Sequence, residues 1–269
     1  MSDNDSVFAG SIPAIYQQYL EPMFFEPYAA DLAERLQNIS SGRILEIAAG
    51  TGVVTRALAR AVSENVSIIA TDLNQPMLDF AASRVATGRI TWQQADAQAL
   101  PFTDDRFDAA ACQFGVMFFP DKVAAYREAR RVLKPGGRFI FNVWDRIDEN
   151  EIALMATDAL AALIPDNPPR FMARTPHGYH DRERIQQDLR IAGFSEVSLE
   201  TKRLKSQSSS ARDAAIGLCQ GTPLRNEIEE RIPGRLAEAT EAVQNRIATL
   251  LGDGPIQASM QAHIVVAGK

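Results

Sequence analysis

Ile44-Leu45-Glu46-Ile47-Ala48-Ala49-Gly50-Thr51-Gly52 is the stretch on which the reading of this chain turns. An apolar run breaks into glycines just ahead of a helical pattern formed by Val53, Ala57, Leu58 and Ala61. That order reads as strand, tight turn, helix. Glycine at such a turn lets a ligand approach the backbone closely, because no Cβ stands in the way. The helix N-terminus adds free amide donors and a partial positive charge, which suits a carboxylate or a phosphate. Asp72 closes the next apolar, β-branched strand, residues 66–71, where an acid can accept hydrogen bonds from ribose hydroxyls.

Downstream the rhythm repeats. Residues 75–86 form an amphipathic helix with Pro76 in its first turn, and 89–94 form a short strand ending before Asp96. Residues 106–114 are a fourth strand, Asp121 caps a helix running to Leu133, Lys134-Pro135-Gly136-Gly137 is a turn, and 138–144 are a fifth strand. Strands separated by helices imply an α/β fold: a doubly wound, mostly parallel sheet with helices on both faces. Beyond Trp144 the pattern changes. A helix over 151–164 buries Ile152, Met155, Ala159, Leu160 and Leu163. A proline-rich stretch, 165–179, precedes a helix over 181–192 stopped by Gly193, and a strand over 195–204 follows. Ile232, Leu236, Val243, Ile247 and Leu250 recur at helical spacing within 205–254, and 256–267 read as a long terminal strand. The expected organisation is an N-terminal helical segment (1–30), a binding core (31–144), a cap insertion (145–180), a core helix and strand (181–204), a second cap insertion (205–254) and a terminal core strand (255–269). The cap is placed over the strand C-termini, where ligands of such sheets bind, against the plainer reading of packing helices elsewhere on the surface.

The glycine turn with Asp72 fits a dinucleotide as well as an adenosyl amino acid, and three details separate them. The dinucleotide fingerprint needs a third glycine where Thr55 stands. Glu46, beside the turn, would face a pyrophosphate unfavourably but would accept bonds from a ligand ammonium. Asp96, in Gln94-Ala95-Asp96-Ala97, puts a second acid at the end of the third strand, where an adenine amino group can donate. Each acid alone is also explained blandly, Glu46 by a surface salt bridge and Asp96 by a helix cap.

Composition narrows the class. The formal net charge of −6 over 269 residues disfavours a phosphate backbone as partner. Cys112 and Cys219 stand far apart and form no CxxC pattern, so neither a disulfide framework nor a cysteine zinc site is expected. The polar, acidic opening 1–10 is unlike a signal peptide, and no apolar run reaches the length of a membrane span. A cytoplasmic location, with no membrane and no nucleic-acid partner, is the expectation.

As an ordered set, Leu45-Glu46-Ile47-Ala48-Ala49-Gly50-Thr51-Gly52, Ala70-Thr71-Asp72-Leu73-Asn74, Ala95-Asp96-Ala97-Gln98-Ala99-Leu100-Pro101-Phe102, Arg106-Phe107-Asp108 and Leu133-Lys134-Pro135-Gly136-Gly137-Arg138 resemble the class I S-adenosylmethionine-dependent methyltransferases. The resemblance is to the type-11 and ubiquinone/menaquinone-biosynthesis-like group and covers about residues 43–144. It implies a seven-stranded Rossmann-like sheet whose last two strands, one antiparallel, are 195–204 and 256–267. It also implies S-adenosyl-L-methionine as cofactor and methyl transfer as the reaction. Carried over by residue, Glu46, Ala48 and Gly50 line the methionine end, with Gly52 also in the cofactor-binding loop, Asp72 holds the ribose, and Leu73 flanks the adenine. Asp96 and Ala97 then meet the adenine amino edge, and Gln113 and Phe114 lie near the sulfonium. Ile15-Tyr16-Gln17-Gln18-Tyr19-Leu20 resembles the helix that closes over the cofactor in relatives, with Tyr19 on the methionine carboxylate; an aromatic stripe of this kind also serves plain packing. Where the family has a first glycine this chain has Ala48, so position 48 is expected to need no positive φ.

The acceptor is expected to be a small molecule. Cys112-Gln113-Phe114 lacks the proline that precedes the nucleophile of cytosine C5 methyltransferases, and no acidic-or-Asn-Pro-Pro-aromatic loop is present. Phe114, Met117, Phe118, Phe119, Phe171 and Met172 can wall a pocket for an aromatic or lipid-like substrate. Should the acceptor be a hydroxyl or an acidic carbon, His177 is the candidate base, against the plainer reading of a surface-loop histidine. His177 and His180 form an HxxH without a third ligand, so no metal is expected, and His263 reads as structural. A protein or nucleic-acid methyltransferase, a non-catalytic cofactor-binding protein and a nicotinamide oxidoreductase are the alternatives.

Overall fold

The computed structural model describes residues 12–85 and 87–269. The opening stretch 1–10 and the expected helix end at Ala86 lie outside the described residues. The described residues open with α1 (Ile12–Ile15), which widens into a π-helix (Tyr16–Phe25) and tightens again as α2 (Glu26–Glu34). Pro22 lies within the wide segment, and the Glu26 amide donates to the carbonyl of Glu21, five residues back. Segments of this geometry recur at functional sites.

The alternating part follows as β1 (Gly42–Ile47), α3 (Val53–Ala61), β2 (Val66–Asp72), α4 (Gln75–Ala82), β3 (Ile90–Gln94), β4 (Phe107–Gln113), α5 (Lys122–Val132) and β5 (Leu133–Trp144). Then come α6 (Glu151–Leu163), α7 (Phe171–Arg174), α8 (Arg182–Ile191), β6 (Glu196–Ser208), α9 (Ala211–Gln220), α10 (Leu224–Arg231), α11 (Leu236–Leu251) and β7 (Ile256–Gly268). The strands form one seven-stranded sheet in the order β3-β2-β1-β4-β5-β7-β6. Neighbours from β3 to β5 run parallel, while β7 is antiparallel to both β5 and β6. This is the doubly wound, mostly parallel sheet expected, with order reversal at β1 and β4. Ligands of such sheets sit beyond the strand C-termini at that reversal.

The two faces of the sheet bury separate cores, as the period-two alternation of a strand requires. Ile44 packs with Leu32 of α2, Leu36 just beyond it, and Val54 and Leu58 of α3, whereas its neighbour Leu45 joins the larger core on the other face. The parts of the chain outside the alternating core converge. α6, α9 and α11 pack on one another, α10 packs against α7 and α9, and α9 also packs against the π-helix. Val243 and Ile247 are fully buried in that layer, each worth about 1.5–3 kcal/mol of apolar transfer. Leu250, expected on the same face, is instead 49% exposed, in the last turn of α11.

Three local expectations are corrected. Lys134-Pro135-Gly136-Gly137 is not a turn ahead of the fifth strand but a bulge inside it. Phe107 pairs with Leu133 and Ala109 with Arg138, so the extra residues loop out between two paired positions, with Gly136 at φ +78°. Ala48 has φ +57°, so the alanine adopts the left-handed conformation that the glycine of relatives would supply. Strand β6 extends to Ser208, four residues beyond its expected end, because β7 offers paired partners as far as Ile256.

Candidate cofactor and active site

A cavity of about 310 Å³ opens at the strand C-termini. Its first half is built by consecutive strand ends. Ala48 and Gly50 follow β1, Asp72 ends β2 with Leu73 and Asn74 behind it, and Ala95, Asp96 and Ala97 follow β3. Gly50 has φ +56° and donates its amide to Asp72 Oδ2 at 2.8 Å. The Asn74 amide reaches Asp72 Oδ1, also at 2.8 Å. Asp72 is thus fixed in rotamer, yet burial still raises its pKa over the opposing effect of these donors. Leu73 is 53% exposed at the cavity mouth, an apolar side chain held open to a planar ligand. Asp96 is exposed, and its Oδ1 accepts the Gln98 amide at 2.8 Å.

Three expected contacts do not reach the cavity wall. Glu46 is buried behind the loop, where Thr55 Oγ1 donates to its Oε2 at 2.6 Å, and burial pushes its pKa up to about 8. The same bond explains the β-branched Thr55 in place of a glycine: it serves Glu46. Gly52 is a packing position, since a Cβ there would meet Trp92 at 3.0 Å and Ala81 at 3.2 Å. Tyr19 packs against Gly217 of α9, while Tyr16 and Leu20 line the cavity. The wider turn of the π-helix accounts for this: it turns residues 16, 20, 24 and 25 to one side. Glu21, on the same segment, is buried and bonds both the Thr51 hydroxyl and the Arg56 guanidinium. These bonds tie the N-terminal helix to the glycine loop, and burial raises the Glu21 pKa.

The second half is aromatic. Phe114, at φ +49°, is held there because its amide donates to the Asn142 side chain at 3.0 Å. Its ring stacks on Trp144 at 3.8 Å, with 5° between planes. Gln113 donates to the Phe25 carbonyl at 3.1 Å, joining β4 to the N-terminal helix. Phe24, Phe25, Phe118, Phe119, Phe171, Met172 and Leu218 complete the apolar wall, while Met117 points elsewhere. Among the described residues no lysine or arginine lines the cavity.

His177 lies at the far end of this wall, 4% exposed. Its Nδ1 stands 2.8 Å from the Asp145 carbonyl oxygen. A carbonyl can only accept, so Nδ1 carries the proton and Nε2 is left as an acceptor. Burial lowers the pKa to about 4, and the nearby His180 lowers it further against the pull of Asp145. The ring is therefore neutral at physiological pH. His180 donates Nδ1 to the His177 carbonyl at 2.8 Å. His263 bridges Thr201 (2.9 Å) and Asp145 (3.3 Å) inside the sheet.

A family model described as "Methyltransferase domain" matches residues 44–137. The ubiquinone/menaquinone biosynthesis C-methyltransferase UbiE of Pseudomonas aeruginosa is 32% identical over 178 residues, covering 61% of this chain and 69% of the relative. The chain is a class I S-adenosylmethionine-dependent methyltransferase of the UbiE-like type. As a UbiE-like enzyme it uses S-adenosylmethionine, and the cavity fits that compound. Gly50 offers backbone without a Cβ, Asp72 a fixed acceptor, Leu73 an apolar face, and Asp96 with Ala97 a polar edge. The fold is shared with the YcgJ protein of Bacillus subtilis (19% identity, TM-score 0.58, 90% of this chain and 98% of that one). It is shared too with phosphoethanolamine N-methyltransferase 2 of Haemonchus contortus (17%, 0.60, 96% and 56%). Among the described residues, no helix of this UbiE-like chain is long and apolar enough to cross a membrane.

Proposed function

We propose that this methyltransferase acts on an apolar hydroxy-aromatic small molecule, with His177 as the group that takes the acceptor proton. One observation carries the reading: an aromatic-walled chamber ends at a buried, neutral imidazole and, among the described residues, offers no cation to an anionic headgroup. The absence of lysine and arginine disfavours phosphorylated acceptors, whose charge would be desolvated without compensation. The UbiE relatives are named for C-methylation in ubiquinone and menaquinone biosynthesis, which supports a ring carbon as the methylated atom.

S-adenosylmethionine, when bound, supplies a methyl group already activated on a sulfonium. The work left to the chain is placement, exclusion of water and proton removal. Ala48, Gly50, Asp72, Leu73, Asp96 and Ala97 would hold the adenosyl amino acid, with Gln113 and Phe114 at the junction of the two halves. Phe118, Phe171 and Met172 stack on the acceptor ring and keep it dry. His177 Nε2, its Nδ1 proton pinned by Asp145, accepts a hydroxyl proton. Charge building on that oxygen makes both it and the adjoining ring carbon nucleophilic; methylation at oxygen leaves the hydroxyl proton on His177, and methylation at carbon also releases that carbon's own hydrogen as a proton.

The test is incubation with methyl-labelled S-adenosylmethionine and a panel of naphthols, quinols, amines and phosphorylated alcohols. Label is expected in the hydroxy-aromatics. Label confined to amines, or found only in added protein or nucleic acid, overturns the reading.

A further inference from the structure

We infer that Glu227, a carboxylate of α10 outside the cavity wall, is a positioning residue that fixes the acceptor side of the site. The inference rests on the reading above, in which the acceptor lies against Phe171 and Met172.

α7 spans only four residues and follows Asn167-Pro168-Pro169-Arg170. A helix that short closes too few of its own hydrogen bonds to persist, and its leading amides have no partner within it. Glu227 supplies what is missing. Its Oε2 accepts from the Arg170 amide at 2.8 Å and from the Phe171 amide at 3.0 Å. Its Oε1 pairs with the Arg174 guanidinium at 2.7 Å. One carboxylate therefore grips α7 at both ends. Arg231 holds the carboxylate's own backbone, donating to the Glu227 carbonyl at 3.1 Å, and reaches the Asn167 carbonyl at 2.9 Å.

The grip carries on to the base. The Thr175 amide donates to the Phe171 carbonyl at 2.9 Å, and the His177 amide donates to the Met172 carbonyl at 3.0 Å. Phe171, Met172 and His177, all three on the cavity, thus hang from one carboxylate that is itself 9% exposed. A carboxylate this buried is costly unless its donors are all present. Here the donors are the leading amides of the element it holds and the arginine at that element's far end.

The experiment uses the full chain loaded with S-adenosylhomocysteine and titrates 2-naphthol by calorimetry. Amide hydrogen exchange over residues 170–177 is measured alongside. For Glu227→Ala, 2-naphthol affinity is expected to fall by about tenfold, from loss of hydrogen bonds to a charged group, and exchange over 170–177 to accelerate. Glu227→Gln keeps an accepting oxygen for the two amides and should stay within about threefold of the parent. S-adenosylhomocysteine affinity should hold in both. Should the alanine variant fail to fold, Glu227→Asp, which keeps the charge but shortens the reach, takes its place. Parallel loss of both ligands, or unchanged exchange over 170–177, overturns the inference. If the parent chain binds no 2-naphthol, the acceptor reading fails instead, and the exchange data alone then decide the role of Glu227.

Discussion

The two halves of the cavity are made in different ways. The cofactor half comes from the ends of three adjacent strands, within residues 48–97, and each contact is set by the register of the sheet. The acceptor half is gathered from Phe24 to Thr222 and depends on short helices, a proline-rich loop and hydrogen bonds between elements distant in the chain. A half built on strand ends is constrained by the fold itself. A half built on connecting segments changes without disturbing the sheet, so the acceptor can vary where the cofactor cannot.

That contrast can be broken experimentally. The largest effect is expected at the acceptor end: His177→Ala should lower the methylation rate by roughly 10²–10⁴-fold while leaving S-adenosylhomocysteine affinity unchanged by calorimetry. An equal loss in both would mean the halves are not separable. Next comes the pH dependence of stability. The folded pKa of His177 is about 4, below its ordinary 6.5, so the folded state binds fewer protons than the unfolded chain between those values. The contribution is complete above 6.5 and is lost as pH falls through 4, amounting to about 3 kcal/mol. Urea midpoints at pH 4.5 and 7.5 should therefore diverge less in His177→Gln than in the parent. On the cofactor side, Asp72→Ala should weaken S-adenosylhomocysteine by about 1–3 kcal/mol, with 2-naphthol binding retained. The smallest effect belongs to Leu73→Ala, which should cost about 1 kcal/mol of cofactor affinity from lost apolar contact and leave stability untouched, since the side chain is already half in water.

The same division governs what could be read from sequence. The strands, the glycine turn and the acids Asp72 and Asp96 were legible because periodicity and turn chemistry are local properties. Asp72, Leu73, Asp96 and Ala97 duly meet at one cavity. Tyr19 rests on the resemblance to relatives alone, and sequence gives no sign of the π-helix that brings Tyr16 to the cavity and Tyr19 to α9. Ala48 took a positive φ because the strand-to-helix turn demanded it, whatever the side chain. Lys134-Pro135-Gly136-Gly137 carries the same signals whether it links two elements or bulges from one. Glu46 could be placed beside the loop, but only the three-dimensional partner Thr55 reveals which way it turns. Glu227 has no local signal at all: its significance lies in amides more than fifty residues away.

Ser208 and Ile256 are paired neighbours at the end of the β6–β7 ladder. Everything between them, α9 to α11, leaves the sheet and returns to it at one point, as a very long hairpin loop. Closure of such a loop costs little more as it lengthens, since the entropy grows only with the logarithm of its size. Loop closure thus leaves the length of 209–255 unconstrained; what holds the segment in place is the core it enters, through Leu218, Ile228, Val243 and Ile247.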